Sequence, residues 1–266
     1  MRGVSVKAFV RRLTVDAWMG LMRDHPPDPN PSPRAVYEVL GLYLVGAIVL
    51  ALNYYMSAAS YGWLPEAWTA SLPAGSRRIW WSLCVSVNYM VLPYLYLRFV
   101  LKRSLRDMGF RAEGFVEHLP IYLLFFAVVF PLVVLVADSP HFLQTYPMAR
   151  KAAGSWDTLL VWECAYALQF VTLEFFFRGF LVFGPARVVG AWVIPFMSIP
   201  YLMIHFPKPF LESMGAIIAG MALGMVALRT RSILAGILIH LAVAFTMEIL
   251  ALHHKGQLAS LWSGQG

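Results

Sequence analysis

Seven apolar segments follow one another along the chain, separated by short stretches that hold most of the charged residues. A helix needs roughly 20 apolar residues to cross the hydrocarbon core of a bilayer, and most of these segments reach that length. The sixth segment is shorter and carries small residues at four-residue spacing (Ala216, Gly220 and Gly224), which indicates a flat stripe for close helix packing. The pattern predicts membrane spans at about 35–57, 79–100, 118–137, 157–183, 188–206, 213–228 and 232–252.

The region before the first span has a different pattern. Apolar side chains between Phe9 and Met22 recur at helical spacing, with basic residues between them. This pattern is typical of an amphipathic helix that lies in the membrane interface, and a cytosolic tail without fixed structure is the alternative. The alternating prolines of residues 27–33 predict an extended linker. We therefore expect an N-terminal segment over residues 1–34, followed by a single membrane-embedded domain over residues 35–266.

The composition agrees with a membrane protein. Hydrophobic residues make up 59% of the chain and charged residues 13%, whereas an ordinary soluble domain has about 25% charged residues. So little charge excludes a disordered chain, a secreted disulfide scaffold and a typical cytosolic enzyme. Cys84 and Cys164 both lie within apolar segments and are read as small buried side chains. The expected fold is all-α, a polytopic bundle of about seven spans, with eight left open.

The basic residues behind the net charge of +7 flank the apolar segments, so their distribution indicates how the spans are oriented in the membrane. Nucleic acid is therefore not expected as a partner. Most lysines and arginines face the cytoplasm if the N-terminus is cytoplasmic, which is the orientation that the positive-inside rule predicts. The C-terminus then lies on the outer side, and an eighth span or a re-entrant sixth segment would reverse it.

Ionisable residues inside the spans are costly and usually mark function. Glu174 and Arg178 are four residues apart and share one helix face, where a structural ion pair is the simplest interpretation. Glu163 lies almost three turns earlier, on the same face. The distances along the chain from the flanking turns allow Glu174, His205 and His240 to occupy one layer of the membrane. The full set is Glu163, Glu174, Arg178, His205, His240 and Glu248.

Three motifs in this part of the chain resemble the signatures of one family. The sequence E-F-F-F-R-G at 174–179 resembles the E-E-x-x-x-R-G signature of the CPBP family, which groups CAAX-type prenyl endopeptidases with bacterial Abi-type intramembrane proteases. The sequence Y-L-M-I-H at 201–205 stands in the place of F-x-x-x-H, and H-L-A-V-A at 240–244 stands in the place of H-x-x-x-N. The resemblance covers about 157–252, with the motifs in the family's order on apolar helices.

The resemblance implies a glutamic intramembrane protease. In that family a glutamate and a histidine activate water, while the second histidine and the asparagine stabilise the oxyanion. This sequence departs at two positions, since Leu173 replaces the first glutamate and Ala244 replaces the asparagine. Loss of an oxyanion donor costs about 10²–10³ in rate. Both departures therefore affect the expected chemistry.

Three explanations account for these departures. In a rewired protease, Glu174 and His205 activate water while His240 polarises the carbonyl, and Arg178 keeps Glu174 ionised. In a pseudoprotease, the site binds a membrane segment without cutting it or acts in bacteriocin immunity. In the third, the motif is kept for helix packing alone. A proton-coupled transporter, in which the intramembrane ionisable residues relay protons, is the alternative function outside proteolysis. The candidate catalytic residues are Glu174, His205, His240 and Arg178, with Glu163, Glu248 and Tyr201 as supporting candidates.

The remaining expectations concern cofactor, partner and location. No cofactor is expected, and zinc is the alternative, held by Glu174, His205 and His240 as two histidines and a carboxylate with an open position. The expected partners are the lipid bilayer and a membrane-anchored protein or peptide, cleaved in the maturation or sorting of exported proteins. Because the resemblance is to bacterial proteins, we expect a multi-pass protein of the bacterial inner membrane.

Overall fold

The regular structure of the protein is helical throughout the part of the chain that the computed structural model describes, residues 11–73 and 75–263. Seven helices there are long and apolar enough to cross a membrane, as predicted. The helices are, in chain order, α1 (Arg12–Asp16 continued by Ala17–Asp24), α2 (Pro33–Tyr55), α3 (Glu66–Thr69), α4 (Ser76–Leu101), α5 (Phe115–Val136), α6 (Pro140–Thr145), α7 (Trp156–Phe183), α8 (Ala186–Met203), α9 (Phe210–Thr230), α10 (Leu234–His254) and α11 (Gln257–Ser263). The all-α prediction is confirmed, and no span boundary shifts by more than three residues.

Helix α7 is the central element of the bundle. The Ser155 side chain caps its first turn by accepting a hydrogen bond of 3.3 Å from the Thr158 amide. The helix packs against α4 in its first half and against α8 and α9 in its second, and it also contacts α10. It is α-helical to Glu174 and then continues as a π-helix over Phe175–Phe183. Such wider turns often occur at functional sites.

The small-residue stripe of the sixth segment packs where the sequence predicts. A side chain on Gly224 would bring its Cβ within 2.8 Å of Ile194 Cγ2, and one on Gly220 would come within 2.9 Å of Ser198 Oγ. Ile194 and Ser198 belong to α8, so the two glycines allow α8 and α9 to approach closely. This contact fixes the helix that leads to His205.

The N-terminal amphipathic helix is present as α1, and it is docked onto the bundle. Leu21 is fully buried, and the Trp18 ring meets Trp192 edge-on with centroids 6.1 Å apart. Arg229 Nη2 donates a hydrogen bond of 2.9 Å to the Ala17 carbonyl. Met19, by contrast, is exposed. Helix α1 thus covers the end of the bundle that holds the α7–α8 turn, while the predicted apolar positions Phe9 and Val10 lie outside the described residues.

Candidate active site

The centre of the candidate site is a buried ion pair within α7. Arg178 Nη1 donates a hydrogen bond of 2.8 Å to Glu174 Oε1, and neither side chain has any exposed surface. The π-helical stretch begins between the two residues, at Phe175, and still leaves them in contact. A buried charge is tolerated only beside an opposite charge. Without that partner it has lost its hydration and has no interaction to compensate for the loss. The two charges therefore stabilise each other in the apolar interior.

His240 extends this pair to a second helix. Its Nδ1 lies 2.6 Å from Glu174 Oε1, and its Nε2 lies 2.8 Å from the Tyr201 hydroxyl. The contact with the carboxylate is favourable when Nδ1 carries the proton, and Nε2 then accepts from Tyr201. The Phe170 ring stacks on the imidazole with centroids 5.6 Å apart. The imidazole is thus held in one orientation, and 15% of its side chain remains exposed.

Tyr201 closes the network on the side of α8. Arg178 lies over its ring, with the guanidinium carbon 4.3 Å from the ring centroid. This is a cation–π contact in a desolvated setting, where such contacts are strongest. Arg178, Glu174, His240 and Tyr201 therefore form a closed ring of contacts that joins α7, α8 and α10. The hydroxyl that bonds His240 exists because the motif position for phenylalanine is tyrosine here.

His205 adjoins this ring without a direct contact to Glu174. Helix α8 ends at Met203, and His205 lies half-buried in the following turn. Its Nδ1 lies 2.8 Å from the Tyr201 carbonyl oxygen, which can only accept, so Nδ1 carries the proton and Nε2 the lone pair. Burial lowers the pKa of His205 from 6.5 to about 4. The imidazole is therefore neutral near pH 7, with a free basic nitrogen.

Gly236 is a site residue that the sequence reasoning missed. It lies on α10, one turn before His240, and a Cβ built there would overlap Glu174 Oε2. The absence of a side chain lets the carboxylate lie directly against the backbone of α10. The sequence signal for Gly236 was its position four residues before His240, which places it on the same helix face as that histidine.

The two departures from the family motifs are both filled by apolar packing. Leu173 is 6% exposed and belongs to the main core, together with Tyr89 and Phe176. Ala244 is 5% exposed and belongs to a second apolar cluster that also contains Trp162, Ala152 and Ala153. The side chain present at each of the two positions is apolar and buried.

The structure places Glu163 and Glu248 away from the ring. Glu163 precedes Glu174 by eleven residues of helix, or about 16 Å along the axis, and Glu248 follows His240 by eight residues, or about 12 Å. Glu248 is 1% exposed and accepts a hydrogen bond of 2.8 Å from the Met148 amide. Glu248 therefore has a structural partner of its own, outside the ring.

The zinc alternative does not fit these contacts. Both nitrogens of His240 are engaged, by Glu174 and Tyr201, and His205 Nδ1 faces a carbonyl. Across residues 11–73 and 75–263, no group of three or more His, Cys, Asp or Glu side chains is placed to hold a metal ion. Glu174, His205 and His240 are thus not gathered as a ligand set in this arrangement, and the absence of a cofactor stays an expectation.

Comparison with known proteins identifies a related family. The family described as type II CAAX prenyl endopeptidase Rce1-like matches residues 155–246, which run from the cap of α7 into α10. The match contains all three motifs and confirms the CPBP recognition over this part of the chain. No curated protein matches the chain, and no solved structure matches it. The seven membrane-length helices and this match indicate a multi-pass membrane protein whose residues 155–246 are similar to the type II CAAX prenyl endopeptidases.

Proposed function

We propose, on the premise that residues 155–246 match the CPBP family, that this protein is an intramembrane endopeptidase that hydrolyses a peptide bond near the membrane anchor of its substrate. The observation that carries the proposal is the ring of Arg178, Glu174, His240 and Tyr201, with His205 beside it. A structural ion pair needs only the first two residues. The continuation through a histidine that is partly exposed supports a chemical role.

His205 is the proposed general base. Its Nε2 takes a proton from water, and the resulting hydroxide attacks the carbonyl carbon of the scissile peptide. In the second half of the reaction the same Nε2–H gives its proton to the amide nitrogen as the C–N bond breaks. The products are a carboxylate and an amine, and His205 returns to its neutral form.

His240 is the proposed oxyanion partner. It is the exposed part of the ring. To stabilise the peptide oxygen, its imidazole would carry a second proton, turn Nε2–H from the Tyr201 hydroxyl to that oxygen, and keep Nδ1–H on Glu174, which would balance the positive charge. This role for Glu174 differs from that of the water-activating base expected from sequence, because its Oε1 is already shared by Arg178 and His240 and the side chain is fully buried. Arg178 pairs with the carboxylate in that position.

The proposed substrate is a membrane-anchored segment of an exported protein. His205 lies at the end of the bundle opposite to α1, and the positive-inside rule assigns that end to the outer side. A substrate that reaches His205 from the outer half of the bilayer fits an exported protein better than a prenylated cytosolic one.

A pseudoprotease is the second candidate, and one observation favours it. Leu173 and Ala244 replace both missing polar groups with side chains packed in the core. Such a protein would hold a membrane segment at the same site without cleaving it. The two candidates differ only in product formation.

The test is expression of wild type and of His205→Gln, His240→Gln and Glu174→Gln proteins in the native host lacking the chromosomal gene. The matched control is His253→Gln, an exposed histidine on α10. We expect new C-terminal peptides in the membrane and secreted proteomes with wild type and control, and a loss of about 10²-fold or more with the site variants. Identical proteomes for wild type and variants, with the deletion phenotype retained, would establish the pseudoprotease instead.

A further inference from the structure

A loop that precedes α7 is tied to α10 by two charged side chains. We call residues Tyr146, Pro147 and Met148 the clasp. Glu248 Oε1 accepts a hydrogen bond of 2.8 Å from the Met148 amide, and Lys255 Nζ donates one of 2.7 Å to the Tyr146 carbonyl. Hydrogen bonds that involve a charged partner contribute more than neutral ones. One side of the clasp is thus fixed to the end of the helix that carries His240.

The other side of the clasp is tied to the turn and helix that follow His205. Lys208 Nζ donates a hydrogen bond of 2.8 Å to the Tyr146 hydroxyl and lies 4.5 Å from the centroid of the same ring. The Tyr146 hydroxyl in turn donates one of 2.8 Å to Glu212 Oε1. Tyr146 is 2% exposed, so these contacts are largely shielded from solvent.

The clasp therefore bridges the two histidines of the candidate site. Lys208 stands three residues after His205, and its amide donates to the His205 carbonyl at 2.9 Å. Glu248 stands two turns after His240 on α10. Helix α8 packs mainly on α7 and α9, whereas α10 packs mainly on α5, α7 and α9, so the clasp adds a second link between α8 and α10 beside the Tyr201–His240 contact.

The chain that continues from the clasp covers the edge of the site. Ala149, Ala152 and Ala153 belong to the same buried apolar cluster as Ala244, which lies one turn after His240 and is 5% exposed. Displacement of the clasp would carry this cover away from α10. The clasp itself and two of its four anchors, Glu248 and Lys255, lie outside the segment that matches the family.

We propose that the clasp is a gate that holds the turn carrying His205 against the helix carrying His240, and that a membrane-anchored peptide enters between them when the clasp is displaced. The identity of the entering peptide rests on the proposed function. The gate itself rests only on the hydrogen bonds of the clasp. Lys208 and Lys255 hold the gate shut from opposite sides, so neutralising both removes one charged anchor on each side. The bonds of Glu212 with the Tyr146 hydroxyl and of Glu248 with the Met148 amide involve neither lysine and are retained.

The experiment measures access to Ala244 by maleimide labelling of an Ala244→Cys reporter. The background carries Cys84→Ser and Cys164→Ser, and the protein is purified in detergent. The gate variant adds Lys208→Met and Lys255→Met, and its matched control adds Lys151→Met, an exposed lysine that follows the clasp. A second reporter, Ala235→Cys, is buried near the other end of α10 and reports on general loosening.

We expect the gate variant to label Ala244→Cys at least 10-fold faster than the unmodified background, with no change in the Lys151→Met control or at Ala235→Cys. Equal labelling of Ala244→Cys in all three proteins would overturn the gate, and so would a parallel rise at Ala235→Cys. Labelling does not depend on cleavage. A gate that opens in a protein that forms no product would therefore refute the proposed function alone.

Discussion

At the scale of single residues, the position of Glu174 depends on a missing side chain in the neighbouring helix. Because Gly236 has no side chain, Glu174 Oε2 can occupy the space where a Cβ would lie, and the carboxylate contacts both Arg178 and His240. Replacement of a helical glycine by alanine normally stabilises a helix by about 1 kcal/mol. At this position the added carbon must displace a charged, buried group that has no alternative partner.

We therefore predict that Gly236→Ala destabilises the protein by about 1–3 kcal/mol, as other overpacked positions do. Thermal unfolding of the purified protein measures it. Gly215→Ala is the control, because nothing lies within 4 Å of a Cβ built at that glycine on α9. The control should be neutral or up to about 1 kcal/mol more stable. A Gly236→Ala protein as stable as the control would show that Glu174 does not need this space.

His205 gives the protein a pH-dependent stability. Its pKa in the folded state, about 4, lies below the ordinary value of 6.5 because burial disfavours the charged form. The unfolded chain then binds more protons than the folded one between these values, so stability falls as the pH is lowered through that window. For this one group we expect a loss of about 1–2 kcal/mol between pH 6.5 and 5.

The measurement compares the unfolding midpoints of wild type and His205→Gln at pH 7.5 and pH 5. The difference between the two proteins should shrink or reverse at pH 5, since the variant has no proton to gain at this position. Equal pH dependence in both proteins would mean that His205 titrates normally in the folded state.

The residues of the ring could be predicted from the sequence to different degrees. Glu174, Arg178 and His240 stand out because ionisable groups are rare in apolar spans. Tyr201 was only a supporting candidate, since a tyrosine in an apolar helix carries no charge to reveal its two polar contacts. Gly236 was missed because its role appears only when α7 and α10 are brought together.

At the scale of elements, the spans were predictable because long apolar runs have few alternatives to transmembrane helices. The docking of α1 was not, because helical spacing shows an apolar face without showing what covers it. The apolar face of α1 is divided between protein and surroundings: Leu21 is fully buried against the bundle, whereas Met19 is 53% exposed.

This division predicts that shortening the side chain of Leu21 or of Met19 to alanine will affect the docking of α1 differently. Leu21→Ala should cost about 2–5 kcal/mol of docking free energy, as other fully buried leucines do. The helix should then be cut faster by a protease between residues 12 and 24, while the spans remain protected. Met19→Ala is the matched control and should leave the cleavage rate unchanged. Equal protection in both variants would show that Leu21 does not hold the helix.

The role of Glu248 also belongs to this scale. Sequence spacing places it two turns after His240 on one helix, which favoured a part in the chemistry. Its observed partner, Met148, comes from a segment a hundred residues earlier in the chain. A contact between such distant segments is set by the packing of whole helices, so no local pattern could reveal it.

At the scale of the whole molecule, the two ends of the bundle differ in what they hold. Helix α1, the α7–α8 turn and Arg229 meet at one end, while the clasp, His205 and Lys255 lie at the other. The positive-inside rule assigns the first end to the cytoplasm. The candidate site would then open toward the outer half of the bilayer, and the substrate proposal depends on that direction.

Labelling of single cysteines in intact cells tests this orientation. In the background without Cys84 and Cys164, a membrane-impermeant maleimide should label Lys151→Cys, which follows the clasp, and should not label Glu113→Cys, which lies between α4 and α5. Both positions are exposed, so a difference in labelling reports the side of the membrane and not burial. After the cells are opened, both should react. The opposite result in intact cells would place His205 on the cytoplasmic side, and a cytosolic, lipid-anchored C-terminus would then become the substrate to test first.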